Sequence, residues 1–229
     1  MDSSFKRNKL TYFHIPKTGG RFLSANTIDI FKADLINKGV SVVDKVGKSR
    51  HQSFYYLDND PLCKPMVTLR NPVDRAISHY FYILENKLTG SIDQDKVKFF
   101  NYINSDKCEL NNYQSRFICS DVPRLDLSDV DLPKEIDMEL IGLRLSKVVY
   151  LIKTESVNKD LCKKIILESY KDHKINPNID LVEQVFSKEY FTNPESKMFK
   201  ESLSKTDIQK IENIVSVDLE IYESQKYFN

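Results

Sequence analysis

The sequence predicts an α/β protein in which a central parallel sheet is flanked by helices, with residues 1–229 forming one domain. Three observations lead there. Apolar runs of strand length recur at 10–15, 65–69 and 148–152. Between them lie stretches whose apolar residues fall at helical spacing, and strands separated by helices build βαβ units. The length, 229 residues, suits one α/β domain with a sizeable core and is small for two.

The first strand comprises Leu10, Thr11, Tyr12, Phe13, His14 and Ile15, a run rich in β-branched and aromatic side chains. Pro16 and the Gly19-Gly20 pair end it. Phe22, Leu23, Ile28, Phe31, Leu35 and Ile36 follow at helical spacing, closed by Asn37-Lys38-Gly39. The stretch HIPKTGG, residues 14–20, is therefore a strand–loop–helix turn. Such a loop offers backbone N–H groups and the positive end of a helix to an anion, and Lys17 adds a full charge.

A second strand is expected at Val40-Ser41-Val42-Val43, and a polar turn with Gly47 leads on to RHQSFYY at 50–56. Residues 65–69 read as a buried strand ending at Arg70. A helix over 71–88 follows, with Asn71 as its cap, Pro72 in the first helical position and Asp74 in the positive first turn. Val73, Ile77, Tyr80, Phe81, Leu84 and Leu88 form its apolar face, and Gly90 ends it.

Residues 91–140 hold two short helical patterns, around Phe99-Phe100-Tyr102-Ile103 and around Tyr113-Phe117-Ile118. An acidic stretch, 121–137, with Pro123 and Pro133, comes next. We read 91–140 as a substrate-side insertion over the sheet edge. A strand at 148–152 precedes a helix marked by Leu161, Ile165, Ile166 and Tyr170. A last long helix from about Thr206 carries Ile208, Ile211, Val215, Leu219 and Tyr222 and is expected to pack on the sheet.

Hydrophobic residues make up 41%, as in a soluble globular protein. The formal net charge of +1 gives no global basic field for nucleic acid, so any anion site is local. The first nine residues hold no apolar run, so no signal peptide is expected. No stretch reaches the ~20 apolar residues of a membrane span. Cys63, Cys108, Cys119 and Cys162 form no C-x-x-C pair and read as reduced thiols of a cytoplasmic protein.

Two stretches carry chemistry. The first, 14–20, does not match G-x-x-x-x-G-K-[ST], because its lysine precedes the glycines, and no Walker B aspartate ends a strand. The second is LRNPVDRAISHY, residues 69–80. Arg70 ends a strand and Ser78 lies two turns into the next helix. Together they suit a dianionic phosphate, Arg70 by a forked charge-assisted contact and Ser78 by its hydroxyl.

The two stretches together resemble the sulfotransferases that use 3′-phosphoadenosine 5′-phosphosulfate (PAPS). The likeness is closest to the carbohydrate branch, which includes the heparan and dermatan uronyl sulfotransferases, and to its bacterial-type relatives. The family's R-x-P-x-x-R-x-x-S-x-Y pattern is complete here as Arg70, Pro72, Arg75, Ser78 and Tyr80. Weaker matches follow in order along the chain. RHQSFYYLD (50–58) resembles the segment with the catalytic histidine, and NNYQSRFIC (111–119) resembles an N-x-Q-x-R segment. YLIKTES (150–156) resembles a strand followed by Thr-Glu, and 204–223 the closing helix with its aspartate and tyrosine.

The resemblance implies a P-loop-kinase-like sulfotransferase fold, PAPS as co-substrate, no metal, and a hydroxyl acceptor on a carbohydrate. It assigns Lys17, Thr18, Gly19, Gly20, Arg21 and Phe22 to the 5′-phosphosulfate, and Arg70 and Ser78 to the 3′-phosphate. Position 21 departs from the family, where Thr or Ser is usual; either the Arg21 guanidinium takes over that contact or it points to solvent. The N-terminal membrane anchor of the animal relatives has no counterpart here. A secretory-pathway role and a glycosaminoglycan acceptor are therefore not expected.

In sulfuryl transfer, negative charge grows on the bridging oxygen as the sulfur–oxygen bond breaks. Lys17 and the loop N–H groups suit its stabilisation. The resemblance makes His51 the general base, and it precedes Phe54-Tyr55-Tyr56, aromatic residues that suit a sugar ring or an aryl acceptor. His14 reads as a structural residue, His79 as packing or exposed, and His173 as solvated. Some relatives use a glutamate, so a carboxylate of 91–140 is the other candidate base. Two rival classes stand beside this reading: a small-molecule kinase on a related fold, and a non-catalytic module for an acidic ligand.

Overall fold

Three parallel strands organise the computed structural model, which describes residues 9–19, 23, 34, 53–59, 63–83, 90–105, 110–122, 132–172, 174–184 and 193–228. Strand β1 (Lys9–Phe13) pairs with β2 (Cys63–Leu69), and β2 pairs with β3 (Tyr150–Lys153), in the order β1-β2-β3. Phe13 lies opposite Val67, and Leu69 opposite Lys153. All three strands thus run out at the same edge of the sheet. The strands expected at 10–15, 65–69 and 148–152 are these, displaced by one or two residues.

In chain order the described helices are α1 (Tyr55–Asn59), α2 (Pro72–Ile83), α3 (Ile92–Ile103), α4 (Tyr113–Cys119) and α5 (Met138–Ser146). After β3 come α6 (Lys159–Asp172), α7 (Ile179–Gln184), α8 (Pro194–Ser202), α9 (Lys205–Ile214) and α10 (Ser216–Glu223). Asn71 caps α2 as its sequence implies: its Oδ1 accepts from the Asp74 N–H at 3.1 Å.

Successive strand residues point to opposite faces, and both faces are covered. Tyr12, Met66 and Ile152 meet Cys162, Ile165, Ile166 and Tyr170 of α6. Phe13, Val67 and Leu69 meet Tyr113, Phe117 and Ile118 of α4 and Ile141 and Leu145 of α5. The protein is thus α/β, and its described residues form a three-stranded parallel sheet flanked by helices. Residues 113–119, inside the stretch read as an insertion, contribute directly to the sheet's core.

A third core lies away from the sheet, where Tyr80 and Phe81 of α2 meet Phe99 of α3 and Phe199 of α8. The rings of Tyr80 and Phe99 are 5.0 Å apart, and those of Phe99 and Phe199 5.4 Å. The expectation of one long closing helix on the sheet is corrected here. The chain leaves helical geometry at Val215, with φ −109° and ψ 26°, and makes two helices. Helix α9 packs on α2, and α10 packs on α4 and α2. Ile211 is buried in the third core, whereas Ile221 belongs to the core beneath the sheet, so the break lets one apolar run serve two cores.

The strand expected at 40–43 and most of the helix expected over 22–36 lie outside the described residues; Leu23 and Asp34 are helical and buried. Among the described residues no helix is long and apolar enough to cross a membrane. Cys119 and Cys162 are buried thiols, and burial pushes Cys162 up to about 12.

Candidate anion-binding site

The loop after β1 is wound tightly on itself. Thr18 donates to the Ile15 carbonyl twice, from its backbone N–H at 3.3 Å and from its hydroxyl at 2.8 Å. The hydroxyl also lies 2.9 Å from Thr68 Oγ1, which lies 2.6 Å from the Tyr12 phenol. A hydroxyl has one hydrogen to give. Since Thr18 gives its hydrogen to Ile15, Thr68 donates to Thr18 and Tyr12 donates to Thr68. Burial pushes the Tyr12 phenol far above its ordinary value, which keeps it a donor. Thr18 is fully buried and forms the floor of the loop.

Lys17 and Gly19 both adopt left-handed backbone, with φ of 68° and 75°. For a lysine this conformation is uncommon and costs roughly 1–2 kcal/mol. Two arginines of the second stretch hold the loop in it. Arg70 Nη1 donates to the Lys17 carbonyl at 3.3 Å, and Arg75 Nε donates to the Pro16 carbonyl at 3.2 Å. The Lys17 ammonium rests 4.5 Å from the centre of the Tyr82 ring, on α2. Ser78 is one helical turn before Tyr82, so the half-buried Ser78 shares the face of α2 that Lys17 reaches.

The end of β3 supports both stretches from beneath. The Thr154 hydroxyl lies 2.7 Å from the Thr18 carbonyl and 3.0 Å from the Leu69 carbonyl and shares its one hydrogen between them. Glu155 Oε1 accepts from the Asn71 N–H at 3.0 Å, and its Oε2 accepts from the Tyr222 phenol at 2.8 Å. The Thr-Glu pair therefore joins the first loop, the start of α2 and the closing helix.

Helix α4 holds Arg70 from the side. Gln114 Oε1 accepts from the Arg70 N–H, and Gln114 Nε2 donates to the Arg70 carbonyl, both at 3.0 Å. The N-termini of α4 and α10 cap each other. Asp218 accepts from the backbone N–H groups of Gln114 and Ser115 at 3.0 and 2.7 Å and from the Ser115 hydroxyl. Asn112 Oδ1 accepts from the N–H groups of Val217 and Asp218 at 2.9 and 3.1 Å. Burial pushes the Asp218 carboxyl up, against the pull of these donors and of the nearby Arg75 charge.

Of the expected site residues, Lys17, Thr18, Gly19 and Arg70 come together around the two loops, and Ser78 lies one helical turn from Tyr82, the ring that Lys17 reaches. Gly20, Arg21, Phe22 and His51 lie outside the described residues. The segment after His51 is anchored: Ser53 Oγ donates to the Ser120 carbonyl at 3.2 Å and accepts from the Tyr55 N–H at 3.1 Å. Phe54 is wholly buried, 5.1 Å from Phe13, and so belongs to the core; Tyr55 and Tyr56 are half-buried. His79 is buried against Tyr113, and His14 stacks on Tyr12. Arg75 is buried over the Tyr113 ring at 3.7 Å, a structural partner of the loop.

Reading the residues for charge alone overlooked Tyr82, Gln114 and Thr154. Gln114 and Thr154 did stand in the weaker family-like segments, and only that signal pointed to them. A cleft of about 500 Å³ lies elsewhere, beside β3, lined by Val149, Leu161, Lys164, Glu168, Tyr227 and Phe228. Compared with protein-family models, curated proteins and solved structures, the chain matches none.

Proposed function

We propose that this protein is a sulfotransferase that moves a sulfuryl group from PAPS to an acceptor hydroxyl on a carbohydrate. One observation carries the reading: Arg70 Nη1 donates to the Lys17 carbonyl, so two sequence-distant cationic stretches meet. They meet at the carboxyl ends of parallel strands, where open α/β sheets bind ligands. A donor with phosphate groups at both ends needs two such cationic groups, one for each. The fit to the donor is supported by the two left-handed residues, Lys17 and Gly19, that curl the loop.

In this reading Lys17 meets the bridging oxygen of the leaving phosphate, where negative charge grows. Arg70 and Ser78 take the 3′-phosphate. His51 removes the proton of the acceptor hydroxyl as the oxygen attacks sulfur. The fold expected to carry this chemistry is the P-loop-kinase-like sulfotransferase fold, and the three described strands are compatible with its core.

The test is a thermal-shift comparison of adenosine 3′,5′-bisphosphate with ATP and magnesium. A ligand that binds only the folded state raises the melting temperature. A shift with the bisphosphate, and a smaller one with ATP, is expected. The reverse order overturns the proposal in favour of phosphoryl transfer.

A further inference from the structure

We infer that Gln114 is the positioning residue that sets Arg70 for recognition of a nucleotide 3′-phosphate; this rests on the sulfotransferase reading. Arg70 is the first residue past β2, where the ladder to β3 has ended at Leu69 opposite Lys153. Its backbone N–H and C=O would otherwise have no strand to pair with, and an unpaired backbone leaves the side chain's origin loose.

Gln114 supplies what a neighbouring strand would. A primary amide carries one acceptor and donors on a single carbon, so it can satisfy both backbone groups of one residue. Both contacts are made, at 3.0 Å each. Gln114 is itself buried, 3% exposed, and cannot follow solvent. Its own backbone is fixed in turn, because its N–H donates to Asp218 at 3.0 Å in the reciprocal cap between α4 and α10. A continuous chain therefore runs from the closing helix through Asp218 and Gln114 to Arg70, and from Arg70 Nη1 to the Lys17 carbonyl.

The consequence concerns selectivity. A guanidinium recognises phosphate as a rigid fork, and a fork discriminates only if its base is held. A hydrophobic residue at 114 would keep α4 packed but release the Arg70 backbone. The arginine would retain its charge and lose its aim. Affinity for the 3′-phosphate should then fall more than affinity for the 5′ end of the nucleotide.

The experiment uses the full chain and two probes, adenosine 3′,5′-bisphosphate and adenosine 5′-phosphate, measured by titration calorimetry. The wild type is expected to prefer the bisphosphate. Gln114→Leu should reduce that preference about tenfold, with a much smaller loss of affinity for adenosine 5′-phosphate, whose loop Arg70 touches only through the Lys17 carbonyl. Gln114→Glu, which keeps the shape and the acceptor but not the donor, should reduce it too, and it serves alone if Gln114→Leu does not fold. In an Arg70→Ala background, Gln114→Glu should change the preference no further. Equal loss for both probes would make Gln114 a merely structural residue and overturn the inference. So would an undiminished preference in both variants. A wild type with no preference at all overturns the sulfotransferase reading itself, which is a distinguishable result.

Discussion

Gly19 and Thr154 approach so closely that a Cβ on residue 19 would lie 2.7 Å from Thr154 Cγ2. The same threonine holds the loop through its hydroxyl, whose single hydrogen is shared between the carbonyls of Thr18 and Leu69. The loop is thus seated on β3's end by a hydrogen bond and by the absence of a side chain.

Gly19→Ala should therefore destabilise the protein twice over. The left-handed φ of 75° penalises any Cβ, and the methyl meets Thr154. Together these amount to about 2–4 kcal/mol. Thr154→Ser removes the opposing methyl and keeps the hydroxyl. In that background Gly19→Ala should cost only the backbone part, about 1–2 kcal/mol. Urea denaturation of the four proteins measures this. An identical cost in both backgrounds would mean that the contact with Thr154 is not responsible.

Lys17 and His51 should fail in different ways. His51→Ala is expected to retain the affinity for adenosine 3′,5′-bisphosphate and to lose about 10²–10⁴-fold in turnover, the usual contribution of a general base. Lys17→Ala should lose turnover and some nucleotide affinity, because in the proposed reaction the ammonium meets the donor in the ground state as well. The base must be neutral to act. The wild-type rate should accordingly fall on the acidic side, as the base becomes protonated. Single-turnover transfer across pH reads both effects. Near wild-type transfer by His51→Ala would move the base to a carboxylate of 91–140.

Asp58 predicts an acid-sensitive element outside the candidate site. Burial raises its pKa, but hydrogen bonds from Lys147 and Arg144 outweigh that and hold the carboxyl below its ordinary value. Lys147 Nζ and Arg144 Nε donate to it at 2.7 and 2.8 Å. A carboxyl whose pKa is depressed on folding contributes stability above its unfolded value of about 3.9, and loses it as pH falls through the folded value. Asp58→Asn should lower the urea midpoint at pH 7 and flatten its decline below pH 4. Parallel declines in the two proteins would assign the acid sensitivity to other carboxyls.

Much of this protein was legible from local chemistry. The three described strands, the Asn71 cap and the start of α2 follow from short-range rules about side-chain shape and backbone donors, and these need no knowledge of the fold. Lys17 and Arg70 also stood out, because cations at strand ends next to helix starts are visible as a pattern. What the sequence could not show was which groups reach each other across 44 to 136 positions. Gln114's hold on Arg70 and Thr154's hold on Thr18 depend on where α4 and β3 land after packing, and no local preference encodes that. The closing helix was misjudged for the same reason. Its apolar spacing is helical throughout, yet Val215 interrupts it, because Ile211 and Ile221 must enter two different cores. Periodicity reports that a face will be buried, and only the tertiary arrangement decides against what.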